Sequence, residues 1–147
     1  MKKVIFQFEN HNRFLSNFWE SEINLYAQTF PTVEHFYQSQ KAANEKDFLK
    51  IANAASPGLA KRLGGKVKLV KDWEDKKDAV MKIGVEAKFT QNPELAKQLI
   101  ETEGWELWEG NFWGDTYWGV DLKTGQGKNK LGKILMTTRQ LLIDNKL

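Results

Sequence analysis

The first thirty residues carry the short apolar period of β-structure. Val4, Phe6 and Phe8 alternate with Lys3, Ile5 and Gln7, and residues 23–30 form a second short apolar stretch. A loop rich in Asn and Ser, residues 10–17, separates them. Helical spacing then takes over. Thr32 caps a helix predicted to run to about Asn44, with Glu34 in its first turn, where a negative charge suits the dipole. A second helix is predicted over about 46–54. Ser56-Pro57 reads as a cap followed by proline at the first helical position, and Gly64-Gly65 closes that turn. Asp72 caps a long helix to about Phe89, with Trp73, Val80, Met81 and Gly84 along one side. Asn92-Pro93 opens another, with Leu95, Ala96, Leu99 and Ile100 as its buried stripe. Residues 105–121 break the pattern: they are rich in aromatics and glycine, with strand-like pieces at 106–107 and 117–118. The last helix begins near Asn129 and repeats at Leu131, Ile134, Leu135, Thr138 and Leu142. The pattern predicts a mainly α domain with a small β element at its edge.

Length and composition narrow the class. The 147 residues suit one domain with a real core, and 41% hydrophobic with 28% charged residues is ordinary for a globular chain. No apolar run approaches the roughly 20 residues of a membrane span, and the basic N-terminus lacks the apolar stretch of a secretory signal. The chain has no cysteine, which excludes a disulfide scaffold, a thiolate metal site and a cysteine nucleophile, and fits a reducing cytoplasm. A net charge of +3 is compatible with a phosphate-bearing ligand but does not by itself indicate a nucleic-acid binder.

Three stretches hold candidate chemistry. Glu34, Gln38 and Lys41, spaced by four and then three, fall on one helix face. They read either as a solvated face or as a catalytic strip, and flanking Phe36 and Tyr37 favour a buried helix whose polar line borders a cavity. Residues 101–115 hold Glu101, Glu103, Glu106, Glu109 and Asp115 without a basic residue, with Trp105, Trp108, Trp113 and Trp118 in or beside them. Carboxylates beside aromatic planes suit a pocket for a flat polar ring, or an aromatic core patch with surface glutamates. Residues 123–139 reverse the sign, with Lys123, Lys128, Lys130, Lys133 and Arg139 and no acid. Here Gly125 to Gly132 lead into a helix, which reads as a phosphate site or as a solvated basic face. Gly127, four residues, Gly132 and Lys133 nearly match a P-loop, but Ile134 stands where Ser or Thr must hold magnesium, so nucleotide triphosphate hydrolysis is rejected. With two histidines, His11 and His35, and no His-Glu-x-x-His pattern, zinc hydrolysis is disfavoured. His35 reads as a satisfied helix histidine. The absence of a Gly-x-Ser-x-Gly turn argues against the common esterase arrangement.

Several separated motifs occur in a specific order. They are Ser16-Asn17-Phe18; Pro31 through Glu34, Gln38 and Lys41; Ala60-Lys61-Arg62-Leu63-Gly64; Trp73; Val80-Met81; Ala87-Lys88-Phe89; Asp115 before Trp118-Gly119; Gly127-x-Asn129-x-Leu131-Gly132; Leu135-Met136; and Arg139. This set resembles the NADAR, or YbiA-like, family along nearly the whole chain. Asp121 departs from the family, which often has glycine there. The resemblance implies a single compact, mostly helical domain over residues 1–147 with a small β element. It implies an N-glycosidase that cuts between ribose C1 and an exocyclic nitrogen, using no cofactor and no metal. Two substrate classes are known in the family: early phosphorylated intermediates of riboflavin synthesis, and ADP-ribose on the amino group of guanine, including guanine in DNA or RNA. Glu34, Lys41 and Asp115 are the candidate catalytic residues. Asn17, Phe18, Gln38, Trp73, Trp113, Trp118, Gly119, Gly127 and Asn129 are the candidate substrate contacts. Within that assignment Glu34 and Asp115 share charge stabilisation and water activation, and Lys41 either holds an anion or forms a Schiff base. The competing expectations are a module that binds ADP-ribose or a nucleotide without cleaving it, and a small nucleic-acid-binding protein.

Overall fold

Helices form where capping side chains and apolar spacing coincide. In the computed structural model, which describes residues 2–147, the elements in chain order are β1 (Lys3–Ile5), a 3₁₀ turn (Asn10–Leu15), β2 (Ile23–Leu25), β3 (Gln28–Phe30), α1 (Val33–Ser39), α2 (Glu45–Ala52), α3 (Pro57–Gly64), α4 (Trp73–Gln91), α5 (Pro93–Ile100), β4 (Trp105–Leu107), β5 (Gly110–Asn111), β6 (Val120–Asp121) and α6 (Lys130–Ile143). Counting the 3₁₀ turn, about 48% of the chain is helical, a mainly α fold with short strands. The chain divides into two compact units, one from Asn17–Gln91 and one from its two ends, up to Ser16 and from Asn92 onward. No helix among the described residues is long and apolar enough to cross a membrane.

In the 17–91 unit, α1 is the central element. All seven of its residues are buried, and it packs against α2, α3, α4 and β3. Its start is fixed by Thr32, whose hydroxyl accepts from His35 N at 3.0 Å and lies 2.8 Å from His35 Nδ1. His35 Nε2 meets Ala54 O at 3.0 Å, so the ring donates there and accepts from Thr32. Burying Phe36 contributes about 2–3 kcal/mol, and Gly84 permits it, since a Cβ on Gly84 would stand 2.9 Å from the Phe36 ring. Phe30 meets Phe36 edge-on at 5.2 Å. The helix stops at Ser39, short of the expected Asn44. Residues 41–43 instead find backbone partners in 68–70: Val70 N donates to Lys41 O and Ala43 N to Lys68 O, at 2.8 and 2.9 Å. Asn44 is the cap of α2, accepting from Asp47 N.

In the unit formed by the two ends, β1 pairs in parallel with β4, β5 in parallel with β6, and α5 packs on α6. Leu99, Leu107, Val120, Leu131 and Leu135 form its apolar core. Arg139 Nη1 donates to Thr102 O and Trp105 O, each at 2.8 Å, closing the turn after α5. Three expectations are corrected here. Residues 10–15 coil into a 3₁₀ turn because Phe14 and Leu15 are buried. Ile100 is exposed, leaving Leu99 as the buried residue of α5. Residues 117–118 form no strand, because their N–H groups bond to the Asp115 side chain.

Candidate active site

The expected strip of three on one helix is corrected: α1 ends at Ser39 and carries only Glu34 and Gln38. Glu34 and Gln38 stand one turn apart on α1, both buried, and Gln38 Nε2 donates to Glu34 Oε2 at 2.6 Å. Lys41 lies on the turn beyond the helix, not on it. Its ammonium nevertheless returns over the Tyr37 ring, 5.4 Å from the centroid, within the field of Glu34. Burial holds the Lys41 amine below its ordinary value; the Glu34 carboxylate opposes this, while Lys61 and Lys77 reinforce it and Glu74 opposes it. Asn17 and Phe18 belong to the same neighbourhood. Asn17 O accepts from Glu34 N at 3.1 Å, Asn17 Nδ2 points to Met81 Sδ at 3.3 Å, and Lys61 Nζ sits 6.0 Å from the Phe18 ring centroid. Trp73, only 5% exposed, tilts against Tyr37 at 5.3 Å. Six of the residues singled out from sequence thus gather in the 17–91 unit.

Gln38 carries an anomaly. Its Oε1 is buried with no hydrogen-bond partner, a state that costs about 1–3 kcal/mol. A Cβ on Gly64 would overlap that oxygen.

Lys61 on α3 and Lys77 on α4 were not among the expected site residues, yet both charge the surroundings of Lys41. Lys77 pairs with Glu74 at 2.7 Å. The signal for Lys77 was present in the sequence: it continues the Trp73–Met81 line at spacings of four.

The remaining expected residues lie in the other unit, where the structure gives most of them architectural work. Asp115 Oδ1 accepts from Tyr117 N and Trp118 N, each at 3.0 Å, and Asp115 N donates to Asn111 Oδ1. Asn129, buried with φ of 51°, donates from Nδ2 to Leu107 O at 2.8 Å and accepts at Oδ1 from Glu109 N at 3.0 Å. Gly127 adopts a positive φ, and a Cβ there would overlap Gly119 O; a Cβ on Gly119 would in turn overlap Glu109 O. Trp113 is 69% exposed, whereas Trp118 is half-buried and edge-on to Tyr117 at 4.9 Å. The N–H groups of residues 128–131 donate to the carbonyls of Thr116, Gly119, Tyr117 and Trp118. The start of α6 therefore does not offer an anion the free N–H groups expected of it, though Lys128 and Lys130 lie 5.3 and 4.8 Å from the Tyr117 ring centroid. Asp121 Oδ1 accepts from Lys123 N at 2.9 Å, a turn-forming contact. Glu106 is held below the usual carboxylate range by the Trp108 indole N–H and by Lys2.

These features sit on a known fold. The NADAR domain model matches residues 5–143, and the chain belongs to the NADAR domain family. It is 40% identical over 129 residues to N-glycosidase YbiA of Escherichia coli (strain K12), spanning 86% of this chain and 79% of that protein. N-glycosidase Npun_R5314 of Nostoc punctiforme is 35% identical over 130 residues, 85% of this chain and 82% of that one. The riboflavin biosynthesis protein VVA0006 of Vibrio vulnificus is 38% identical over 136 residues, 91% of this chain but 36% of that longer protein. The NMR structure of the Escherichia coli protein YbiA superposes with a TM-score of 0.86 at 35% identity, covering 99% of this chain and 89% of that one.

Proposed function

We propose that this chain is an N-glycosidase, a hydrolase cutting the bond between C1 of a phosphorylated ribose and an exocyclic nitrogen. The observation that carries the reading is a buried carboxylate, Glu34, held by an amide at 2.6 Å beside a lysine whose amine burial makes easier to deprotonate. Breaking a glycosidic bond builds positive charge on the sugar. A fixed carboxylate in a dry setting stabilises that charge at little reorganisation cost. A partly desolvated Lys41 suits this chemistry. Its neutral amine adds to C1 of the ring-opened ribosylamine, the C1 bond to the exocyclic nitrogen breaks with release of that amine, and water then hydrolyses the Lys41 Schiff base to free the sugar. Borohydride treatment during turnover should then trap the sugar on Lys41; absence of an adduct assigns Lys41 to anion binding instead. Lys61 adds positive charge near Lys41, which suits a substrate phosphate, whereas Lys77 is paired with Glu74.

Two substrate branches fit this chemistry. The phosphorylated ribosylaminopyrimidines of early riboflavin synthesis are one, in keeping with the name of the Vibrio relative. ADP-ribose on the guanine amino group, in DNA, RNA or a free nucleotide, is the other. Neither requires a cofactor, and a cytoplasmic setting suits both. Incubation of the purified protein with each substrate, read by mass spectrometry, tests the reading. Release of ribose 5-phosphate or of ADP-ribose supports it and selects the branch. Tight ADP-ribose binding with no cleavage of either would overturn it in favour of a binding module.

A further inference from the structure

We propose that Gln38 is a positioning residue that fixes the Glu34 carboxylate and favours its ionised form, and that Gly64 on α3 is the residue whose missing side chain permits this. The inference rests on the N-glycosidase reading for the identity of the reaction.

Three observations carry it. The amide donates to the carboxylate at 2.6 Å from a position one helical turn away, with both residues buried. The same amide leaves its own Oε1 without a partner. Rotating the amide would bring two acceptor oxygens face to face at that distance, so Glu34 dictates the orientation and Gln38 bears the cost. Finally, Gly64 has ordinary helical geometry at the end of α3, so nothing in its own backbone requires glycine. What requires it is Gln38: a Cβ on Gly64 would overlap Oε1 and stand 2.8 Å from Cδ and 3.1 Å from Cβ of that side chain. Donation to a carboxylate favours its charged form. Glu34 acts on the charge of Lys41 after α1, and the other charged groups acting on Lys41 are Lys61 on α3 and Lys77 and Glu74 on α4. They remain in a Gln38 variant, so a change there reports the lost amide.

The test is the ¹³C titration of the Glu34 carboxyl, assigned by its loss in Glu34→Gln, together with steady-state kinetics. Gln38→Met, which keeps length and removes the donor, should move the midpoint to higher pH. It should also lower kcat about 10–100-fold with KM within about twofold. Gly64→Ala should do the same by displacing the amide. If Gly64→Ala does not fold, Gln38→Ala with Gly64→Ala relieves the overlap and should keep the shifted titration. An unchanged midpoint in Gln38→Met, or an unchanged kcat, overturns the proposal. If the titration shifts but the wild type cleaves neither substrate class, the positioning stands and the N-glycosidase reading fails. Cleavage by the wild type with no shift is the reverse case.

Discussion

Asn129, expected at a substrate contact, makes two hydrogen bonds inside the fold, and their removal has a calculable cost. Asn129→Ala deletes two hydrogen bonds at once, the donation to Leu107 O at 2.8 Å and the acceptance from Glu109 N at 3.0 Å. Leu107 is fully buried and its carbonyl would lose this partner, while Glu109 is half-buried and water can reach its N–H more easily. Each lost partner costs about 1–3 kcal/mol, the half-buried Glu109 N–H at the low end. The φ of 51° adds about 1 kcal/mol, because alanine tolerates the left-handed region less well than asparagine. The total is roughly 3 kcal/mol or somewhat more. For a chain of this size that lowers Tm by about 10 °C. Urea and thermal unfolding followed by circular dichroism measure it, and Asn129→Gly, which keeps the backbone freedom, should recover about 1 kcal/mol. A variant losing less than about 1 kcal/mol, with a raised KM, would refute the reasoning and return Asn129 to the substrate.

Three further outcomes follow. Gly127→Ala should destabilise by about 2 kcal/mol or more, measured by urea unfolding, since the added methyl overlaps Gly119 O at a positive φ. Lys41→Met should change how stability depends on pH. The native amine titrates below its ordinary 10.5, so the unfolded chain binds more protons between the two values, and wild-type stability relative to the variant should rise as pH climbs toward 10.5. Urea midpoints at neutral and alkaline pH check this, and a difference that is flat with pH contradicts it. Thr32→Ala should cost about 1 kcal/mol in the same unfolding assay, because the α1 cap is lost and His35 Nδ1 loses its partner.

Local chemistry was legible in the sequence, and long-range chemistry was not. The Thr32 and Ser56 caps, the Pro57 start and the Glu34–Gln38 contact all follow from spacings within one turn. Lys41 was expected on the same helix but lies on the turn beyond it, because residues 41–43 pair with 68–70 and no local signal announces that pairing. The stretch 107–132 was hardest to read. Its glycines and its Asn and Asp side chains look like ligand-binding residues, since both uses demand close backbone approach and polar reach. Only the fold shows that Asn129 joins α6 to β4, and that the α6 N–H groups are already committed to residues 116–119. Gln38 Oε1 could not be foreseen at all, since a missing partner has no sequence signature.

A role for Glu34 in cleavage is tested by comparing wild type with Glu34→Gln. ADP-ribosylated guanine nucleotide and phosphorylated ribosylaminopyrimidine should be offered to wild type and to Glu34→Gln, with binding measured by calorimetry and cleavage by mass spectrometry on the same samples. Glu34→Gln should fold and bind the wild-type substrate within about tenfold, while cleavage falls by about 10²–10⁴. Cleavage by Glu34→Gln at the wild-type rate would contradict it.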